Sequence, residues 1–343
     1  MGFYAPAQIV RDAIEHGVDV RAVDINHSNY EHLLEESRPA RDHIWERHSE
    51  MRHDIRSDKA IRLGLSQILG LKEEHARLIA DRRDKGYTSV RDLWLRTGLP
   101  PSVLQKLADA DAFTSLKLSR RDAFWAVRGL MGTDGAETLP LFTSAESPSQ
   151  RSEPDADLPP MAPGESVVHD YKALALSLKA HPVSFLRPLL AQRGMLPAHE
   201  LNQVKDGTIV EVAGLVLVRQ RPGTASGIIF STLEDETGIA NIVIWDALFQ
   251  QNRRAVLGSR MLAVRGQLQR EGLVTHVIAR SFTDMTPHLL DLAQGHDIGH
   301  AVLARGDEGR TGPQPGRDEG ERQRMEIERN IARAALPTGR NFH

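Results

Sequence analysis

Residues 207–283 contain five short apolar runs separated by turn-forming residues, and this pattern restricts the fold more than any other feature. The runs cover residues 208–219, 227–234, 239–245, 260–269 and 273–282, and the separators include RPGTASG, EDETG and REG. Such spacing predicts β-strands joined by short turns. The segment DALFQQNRRAV, between the third and fourth runs, predicts a short helix.

Five strands with a helix between the third and fourth is the order of an OB-fold barrel, so we predict an OB-fold over residues 205–285. Candidate DNA-binding residues are Arg219, Gln220 and Arg221 beside the first hairpin, and Arg265, Gln267 and Arg270 along or beside the fourth strand. Phe230 or Trp245 could stack on bases of a single strand, or both could instead fill the core. Nine basic against eight acidic residues give this block a net charge of only +1, so a protein partner stays open.

Residues 60–130 have a helical pattern instead, in which Ala76, Ile79 and Ala80 form one apolar face. Ser89 and Ser119 are predicted helix N-caps, and Gly98 lies between two predicted helices. Thirteen Lys and Arg against eight Asp and Glu give the block a net charge of +5. The sequence therefore predicts several short helices joined by tight turns on a basic surface.

Two glycine turns in this block resemble the turn of a helix-hairpin-helix DNA-binding motif. Glycine lets backbone N–H groups approach a phosphate, and the N-terminus of the following helix favours negative charge. The predicted DNA-binding residues are Gly70, Leu71 and Lys72 in the first turn, Thr97, Gly98 and Leu99 in the second, and the cations Arg82, Arg83 and Lys85. The alternative is a pair of ordinary helical hairpins with glycine caps and a solvated basic helix end.

Segments rich in Gly, Pro, Ser and charged residues separate these blocks. Residues 132–165 and 304–324 lack apolar periodicity and predict a linker and a disordered tail. Residues 1–30 predict one helix ending at Gly17 and one short strand, which cannot bury a core alone. The predicted segments are 1–35, a divergent insert 36–59, helices 60–131, a linker 132–165, a helical bridge 166–204, the barrel 205–285 and a largely disordered tail 286–343.

Composition and spacing exclude several classes of site. The chain has no cysteine, so disulfides, thiolate zinc sites, iron–sulfur clusters and a cysteine nucleophile are excluded. With no window of 18 apolar residues and no signal-like start, we expect no membrane contact and a cytoplasmic location. Asp155 and Asp157 alternate as metal-binding carboxylates do, but they lie in the linker. His43, His48 and His53 recur every five residues, which predicts a surface segment rather than a metal pair.

Several stretches are similar to the bacterial DNA polymerase III alpha-subunit family, in the form of its error-prone, translesion branch. They are MGFYAPAQIVRDAIEHGVDVRAVDIN, IRLGLSQILGLKEEHA, PLF at 140–142, LSLKAHPVSFLRPLL, GLVLVRQRPGTASGIIFSTLEDETGIANIVIW and the final GRNFH. The resemblance covers most of residues 1–30 and 60–290, whereas residues 35–58 depart from it.

The resemblance implies an α+β multidomain chain with the end of the fingers region, a tandem helix-hairpin-helix module and an OB-fold. In that family the PHP domain and the palm with its metal-binding aspartates come earlier, so we expect a C-terminal fragment that begins in mid-gene. We expect no cofactor in this chain, Mg²⁺ being bound only by the missing palm, and no nucleotidyltransferase activity alone.

The expected partners are primer–template DNA, bound without sequence preference, and other mutasome or replication proteins. The expected roles are translesion synthesis and DNA repair after damage. A protein-interaction adaptor or a gene remnant without DNA binding is the alternative.

Overall fold

The computed structural model describes residues 5–131, 160–222, 227–272, 274–292 and 340–342. The predicted linker up to residue 159, with Asp155 and Asp157, and most of the predicted tail lie outside the described residues. The chain forms two compact units, one of Met1–Met161 with Ala173–Leu178 and the other of Ala162–Lys172 with Lys179–His343. In the described ranges, no helix is both long and apolar enough to span a membrane.

The first unit is mainly helical. Its described α-helices are α1 (Pro6–Glu15), α2 (Glu73–Asp81), α3 (Val90–Thr97), α4 (Pro101–Asp109) and α5 (Arg120–Met131). The side chain of Ser89 accepts a hydrogen bond from the Asp92 amide at 2.9 Å, and Ser119 accepts one from Asp122 at 3.2 Å. These contacts confirm the two predicted N-caps, which bind helix donors that have no partner within the helix.

A small sheet joins the beginning of the chain to these helices. It contains β1 (Val20–Arg21), β2 (Leu33–Glu36) and β3 (Lys59–Arg62), with β3 in the middle, parallel to β1 and antiparallel to β2. Val23 and Ile25 are fully buried in the core that the helices form. The predicted segments 1–35 and 36–59 therefore belong to the helical unit, which supplies the apolar surface that residues 1–30 lack by themselves.

The predicted divergent insert is tied to α1 by the buried carboxylate of Glu15. Glu15 accepts hydrogen bonds from Arg11 Nε at 2.9 Å and from Arg47, and it pairs with His48 Nε2 at 3.2 Å. Burial raises the pKa of Glu15, but the bonds from Arg47, Arg11 and His48 outweigh it and lower the pKa overall. His43 and His53 are exposed, which agrees with the predicted surface segment, and half-exposed His48 also stacks on the ring of His16.

The second unit contains a closed five-stranded barrel. Its elements are β4 (Ile209–Gln220), β5 (Ile229–Glu234), β6 (Ile239–Ile244), β7 (Met261–Glu271) and β8 (Val274–Asp284). The strands are ordered β5-β6-β8-β7-β4, and pairing of β4 with β5 closes the ring. The helix between β6 and β7 spans Asp246–Gly258, so the predicted OB-fold order is confirmed.

The helix between β6 and β7 is α8 (Asp246–Gly258). Three further described helices accompany the barrel: α6 (Pro163–Leu174), α7 (Arg187–Gln192) and α9 (Thr286–Leu292). The last two residues of α6 belong to the first unit. A short strand β9 (Arg340–Phe342) pairs in parallel with β4 at Val218–Gln220. The segment predicted as a disordered tail thus contributes a helix and a strand to this unit.

The predicted turn at Glu234–Gly238 is confirmed, and it has a further role. Buried Asp235 accepts hydrogen bonds from the Thr237 amide at 2.7 Å and the Gly238 amide at 2.9 Å. It also accepts bonds from the Ala198 amide at 2.8 Å and from Arg187 at 2.9 Å. Burial raises the pKa of Asp235, but the Thr237 hydroxyl, which donates to it at 2.6 Å, the Ala198 and Thr237 amides and the charge of Arg187 together lower it. The carboxylate thus ties the predicted helical bridge to the barrel hairpin.

We expect Glu35→Gln to destabilise the first unit at neutral pH. Hydrogen bonds from Arg62 at 2.9 and 3.1 Å, with a further one from Arg21, lower the pKa of Glu35 to about 2. A carboxylate with a lowered pKa stabilises the fold above its unfolded-state pKa, and that stability is lost as pH falls through the folded-state pKa. Urea unfolding followed by circular dichroism should show that Glu35→Gln lowers the free energy of unfolding by about 1.5–3 kcal/mol at pH 7. The difference from the unmodified chain should become smaller toward pH 2.

The matched control is Glu36→Gln, because Glu36 is highly exposed and pairs with exposed Lys59. We expect the free energy of unfolding of Glu36→Gln to stay within about 0.5 kcal/mol of that of the unmodified chain at neutral pH. Equal losses in the two variants, or a difference between Glu35→Gln and the unmodified chain that stays constant with pH, would contradict the role of Glu35.

Candidate nucleic-acid interface

The first glycine turn, Ile68–Lys72, is an exposed corner between a short 3-10 turn (Leu65–Gln67) and α2. Gly70 has a φ of +74°, in the left-handed region that glycine adopts without strain. The Gly70 and Lys72 amides donate no hydrogen bond to any described residue. The side chain of Leu71 packs against the core, so Leu71 could contact a phosphate only through its backbone. The corner therefore presents backbone donors to solvent, as the predicted phosphate contact requires.

The second turn has fewer donors. Gly98 is exposed with a φ of +64°, and nothing lies within 4 Å of the position that a Cβ would take. Its amide, however, donates to the carbonyl of Trp94 at 2.8 Å, and Pro100 and Pro101 have no N–H group. The hydroxyl of Thr97 donates to the Leu93 carbonyl at 2.6 Å, and Leu99 is buried. Of the two turns, the first is the better phosphate ligand.

The loop between α2 and α3 separates the three predicted cations into two kinds. Arg82 and Lys85 are exposed and form no side-chain hydrogen bond or ion pair with the described residues. Arg83 instead turns inward, donating to the Ile25 carbonyl at 2.8 Å and to the Ser28 carbonyl, and burial lowers its pKa. Arg83 is therefore a structural residue here, because its donors are used on backbone carbonyls.

Sequence reasoning missed a polar cluster that positions this loop. The Asn26 amide group donates to the Tyr87 carbonyl at 3.0 Å and accepts from the Tyr87 amide at 2.6 Å. Buried Asp24 accepts from the Thr114 hydroxyl at 2.9 Å and the Ser115 amide at 2.8 Å. Asp and Asn bind backbone groups at turns, so the sequence DINHS after the first strand was the available signal.

The barrel presents a row of paired residues on its outer surface. Phe230 pairs with Val243, Val243 with Ile278, and Ile278 with Gln267, across four adjacent strands. The neighbouring residues along these strands fill the core, so this row lies on the opposite side of the strands, although Val243 within it is itself buried. Phe230 is 37% exposed, and Trp245, at the end of β6, is 53% exposed. The alternative in which both aromatic side chains fill the core is wrong.

The predicted barrel cations again divide into two kinds. Arg265 is exposed without a side-chain hydrogen bond or ion pair to the described residues, and exposed Arg221 pairs with Asp246 at 2.9 Å. Arg219 is only 4% exposed, and it donates to the Val256 carbonyl at 2.5 Å and the Ser259 carbonyl, so burial lowers its pKa to about 10. Arg270 binds two carbonyls, of Asn202 at 2.8 Å and Val204 at 3.1 Å. Arg219 cannot reach a ligand on the surface.

Arg280 is a surface cation that sequence reasoning did not select. It is exposed on β8 and donates to Gln267 Oε1 at 2.8 Å, beside the outer row. Its position two residues after the outward-facing Ile278 was the available signal, since alternate residues of a strand share a face. Among the described residues, no group of three or more His, Asp or Glu side chains could hold a metal ion.

Comparison with known proteins bears on the helical segment and on the chain as a whole. A family model described as a helix-hairpin-helix motif matches residues 17–123. The chain is 48% identical over its whole length to error-prone DNA polymerase 1 of Rhizobium meliloti (strain 1021), and covers 32% of that protein. It is 52% identical, over 84% of its length and 26% of the relative, to the error-prone DNA polymerase of Sinorhizobium medicae (strain WSM419).

The error-prone DNA polymerase of Mesorhizobium japonicum (strain LMG 29417 / CECT 9101 / MAFF 303099) is 45% identical over the whole chain, which covers 31% of that relative. The predicted resemblance is thus confirmed, and the chain spans about a third of the length of these relatives or less. A solved asparaginyl-tRNA synthetase from Pyrococcus horikoshii aligns over 23% of this chain and 20% of its own, at 23% identity and a TM-score of 0.21. That likeness is too low to support an argument.

We expect Arg83→Met to lower the free energy of unfolding by about 2–3 kcal/mol, because buried carbonyls would lose their donors. Arg82→Met is the matched control, since Arg82 is exposed one position earlier, and its change should stay within about 0.5 kcal/mol. Urea unfolding of both variants measures the difference. If Arg82→Met destabilises the chain as much as Arg83→Met, the division between structural and exposed cations is wrong.

Proposed function

We propose that this chain, homologous over its length to about a third of an error-prone DNA polymerase, is a DNA-binding part of such an enzyme. Its helix-hairpin-helix module would hold duplex DNA through the phosphates, and its barrel would contact single-stranded template. Nucleotide addition is assigned to the part of such polymerases that this chain does not span. The proposal includes a role in translesion synthesis and repair after DNA damage, in the cytoplasm, with other replication proteins as further partners.

The observation that carries the proposal is the exposed first turn within the segment that matches a helix-hairpin-helix motif. Gly70 and Lys72 present backbone amides without partners among the described residues, and the block around them has a net charge of +5. Amide donors and cations bind any phosphate equally well, so they hold DNA in position without reading sequence. Binding without sequence preference suits a polymerase, which must move along its template.

The outer row of the barrel supports contact with a single strand. An exposed Phe230 and an exposed Trp245 offer flat apolar surfaces on which bases can stack, and Arg265 and Arg280 lie on the outer faces of neighbouring strands. Stacking needs bases that are not in a duplex, and cations beside the aromatic rings attract the backbone. The barrel's low net charge makes this the weaker of the two proposed contacts.

Retention of a labelled primer–template at increasing salt tests the proposal. The logarithm of the association constant should fall linearly with the logarithm of salt concentration, because each neutralised phosphate releases bound cations. The double variant Arg82→Met with Lys85→Met should make that slope shallower by about two units. The control pair Lys117→Met with Arg128→Met, exposed and outside both turns, should leave most of the slope unchanged.

A protein-interaction adaptor is the competing function. It is favoured by the use of Arg83, Arg219 and Arg270 on internal carbonyls, which leaves fewer cations for DNA. Binding that is absent or independent of salt would support the adaptor and contradict our proposal. Equal slope changes in the two double variants would assign binding to overall charge rather than to the hairpin module.

We expect Trp245→Ala to weaken binding of a single-stranded oligonucleotide by about 1–3 kcal/mol, the value of one lost base stack. Fluorescence anisotropy of a labelled oligonucleotide measures the change. Trp125→Ala is the matched control, because Trp125 is 51% exposed on α5 and lies outside the barrel. An equal loss in both variants, or no loss in Trp245→Ala, would remove the barrel from the proposal.

A further inference from the structure

Lys106 extends from α4 to the turn of the first hairpin. Its Nζ donates a hydrogen bond to the carbonyl oxygen of Gly70. An ideal Cβ on Gly70 would lie 3.3 Å from that Nζ and 3.8 Å from Cε, so the ammonium group rests against the exposed face of the turn. Because α4 follows the second turn, a single side chain joins the two hairpins.

The position of Lys106 follows from the buried face of α4. Val103, Leu104, Leu107 and Ala108 point into the core, which leaves Lys106 half-buried at the edge of that face. A lysine at such an edge packs its aliphatic stem along apolar surface and extends its charged end toward solvent. Here that end meets the first turn.

Three further hydrogen bonds hold the turn and the residue before it in place. The Leu69 amide donates to the Ala173 carbonyl at 2.8 Å, and the Leu71 amide donates to the Ile68 carbonyl at 3.2 Å. The side chain of Gln67 donates to the Leu174 carbonyl at 2.7 Å. The Gly70 carbonyl therefore has a fixed position, and it fixes the ammonium group that binds it.

Lys106 differs from the other cation of this corner in what it binds. Lys72 pairs with Glu74 at 3.2 Å, and Glu73 pairs with Arg77 at 2.6 Å. Lys106 forms no ion pair within the described ranges, and an ammonium group has three N–H donors, of which the Gly70 carbonyl takes one. Its full charge and its remaining donors are thus available to an anion beside the Gly70 amide.

We propose that Lys106 is the cation that completes the phosphate site of the first hairpin and couples the second hairpin to the same stretch of DNA backbone. The inference rests on the proposed function, since it names a further residue of that site. A lysine here adds a charge-assisted bond to a phosphate oxygen that the turn amides contact only through neutral donors.

Salt-dependent binding of a labelled duplex to the full chain tests this role. Lys106→Met keeps the aliphatic stem and removes the charge, so the slope of log association constant against log salt should become shallower by about 0.9. Lys106→Arg keeps the charge and should restore the slope. Lys117→Met, an exposed lysine outside both turns, should leave it unchanged. A stabilising role alone would change the urea midpoint without changing the salt slope.

The outcomes separate this inference from the proposed function. If the unmodified chain binds duplex with a steep salt dependence and Lys106→Met has the same slope, Lys106 binds only the carbonyl and the inference is wrong. The same holds if Lys117→Met flattens the slope as much as Lys106→Met. If the unmodified chain binds no duplex, the proposed function fails, and this inference fails with it.

Discussion

Carbonyl groups at turns have no partner within a helix or strand, and in this protein basic side chains supply the missing donors. Arg83, Arg96, Arg219 and Arg270 each bind two backbone carbonyls, and Lys106 binds one. A buried carbonyl without a donor costs about 1–3 kcal/mol, whereas one guanidinium offers five N–H groups in a fixed plane. In the helical unit these bonds hold the loop that carries Arg82 and Lys85 and the glycine turn at Gly70, so that part of the surface depends on them.

This use of cations decides which surface is left for a ligand. The helical unit keeps exposed Arg82 and Lys85 and a glycine corner whose Gly70 and Lys72 amides have no partner among the described residues, and the barrel keeps exposed Arg265 and Arg280 together with exposed Phe230 and Trp245. The two surfaces suit different forms of DNA, because amides and cations fit the phosphates of a duplex while aromatic rings need unpaired bases. A polymerase handles both forms at a primer terminus, which is why we propose that one chain carries both.

Local patterns predicted the elements well where a short stretch determines the outcome. The strand runs and turns of the barrel, the caps at Ser89 and Ser119, and the left-handed glycines Gly70 and Gly98 all follow from neighbouring residues. The roles of Arg82 and Arg83 could not be predicted in this way. The two residues are adjacent and identical in type, and only the position of a loop about 55 residues earlier turns one of them inward.

The sequence by itself determined the order of strands and helices, from which the OB-fold was predicted, and the two glycine corners, because periodicity and backbone preference act over a few residues. Only the tertiary structure decided which cations face solvent, that Phe230 and Trp245 are exposed, and that Lys106 reaches the other hairpin. Those outcomes depend on contacts between residues far apart in the chain, where burial and unpaired carbonyls compete for the same side chains.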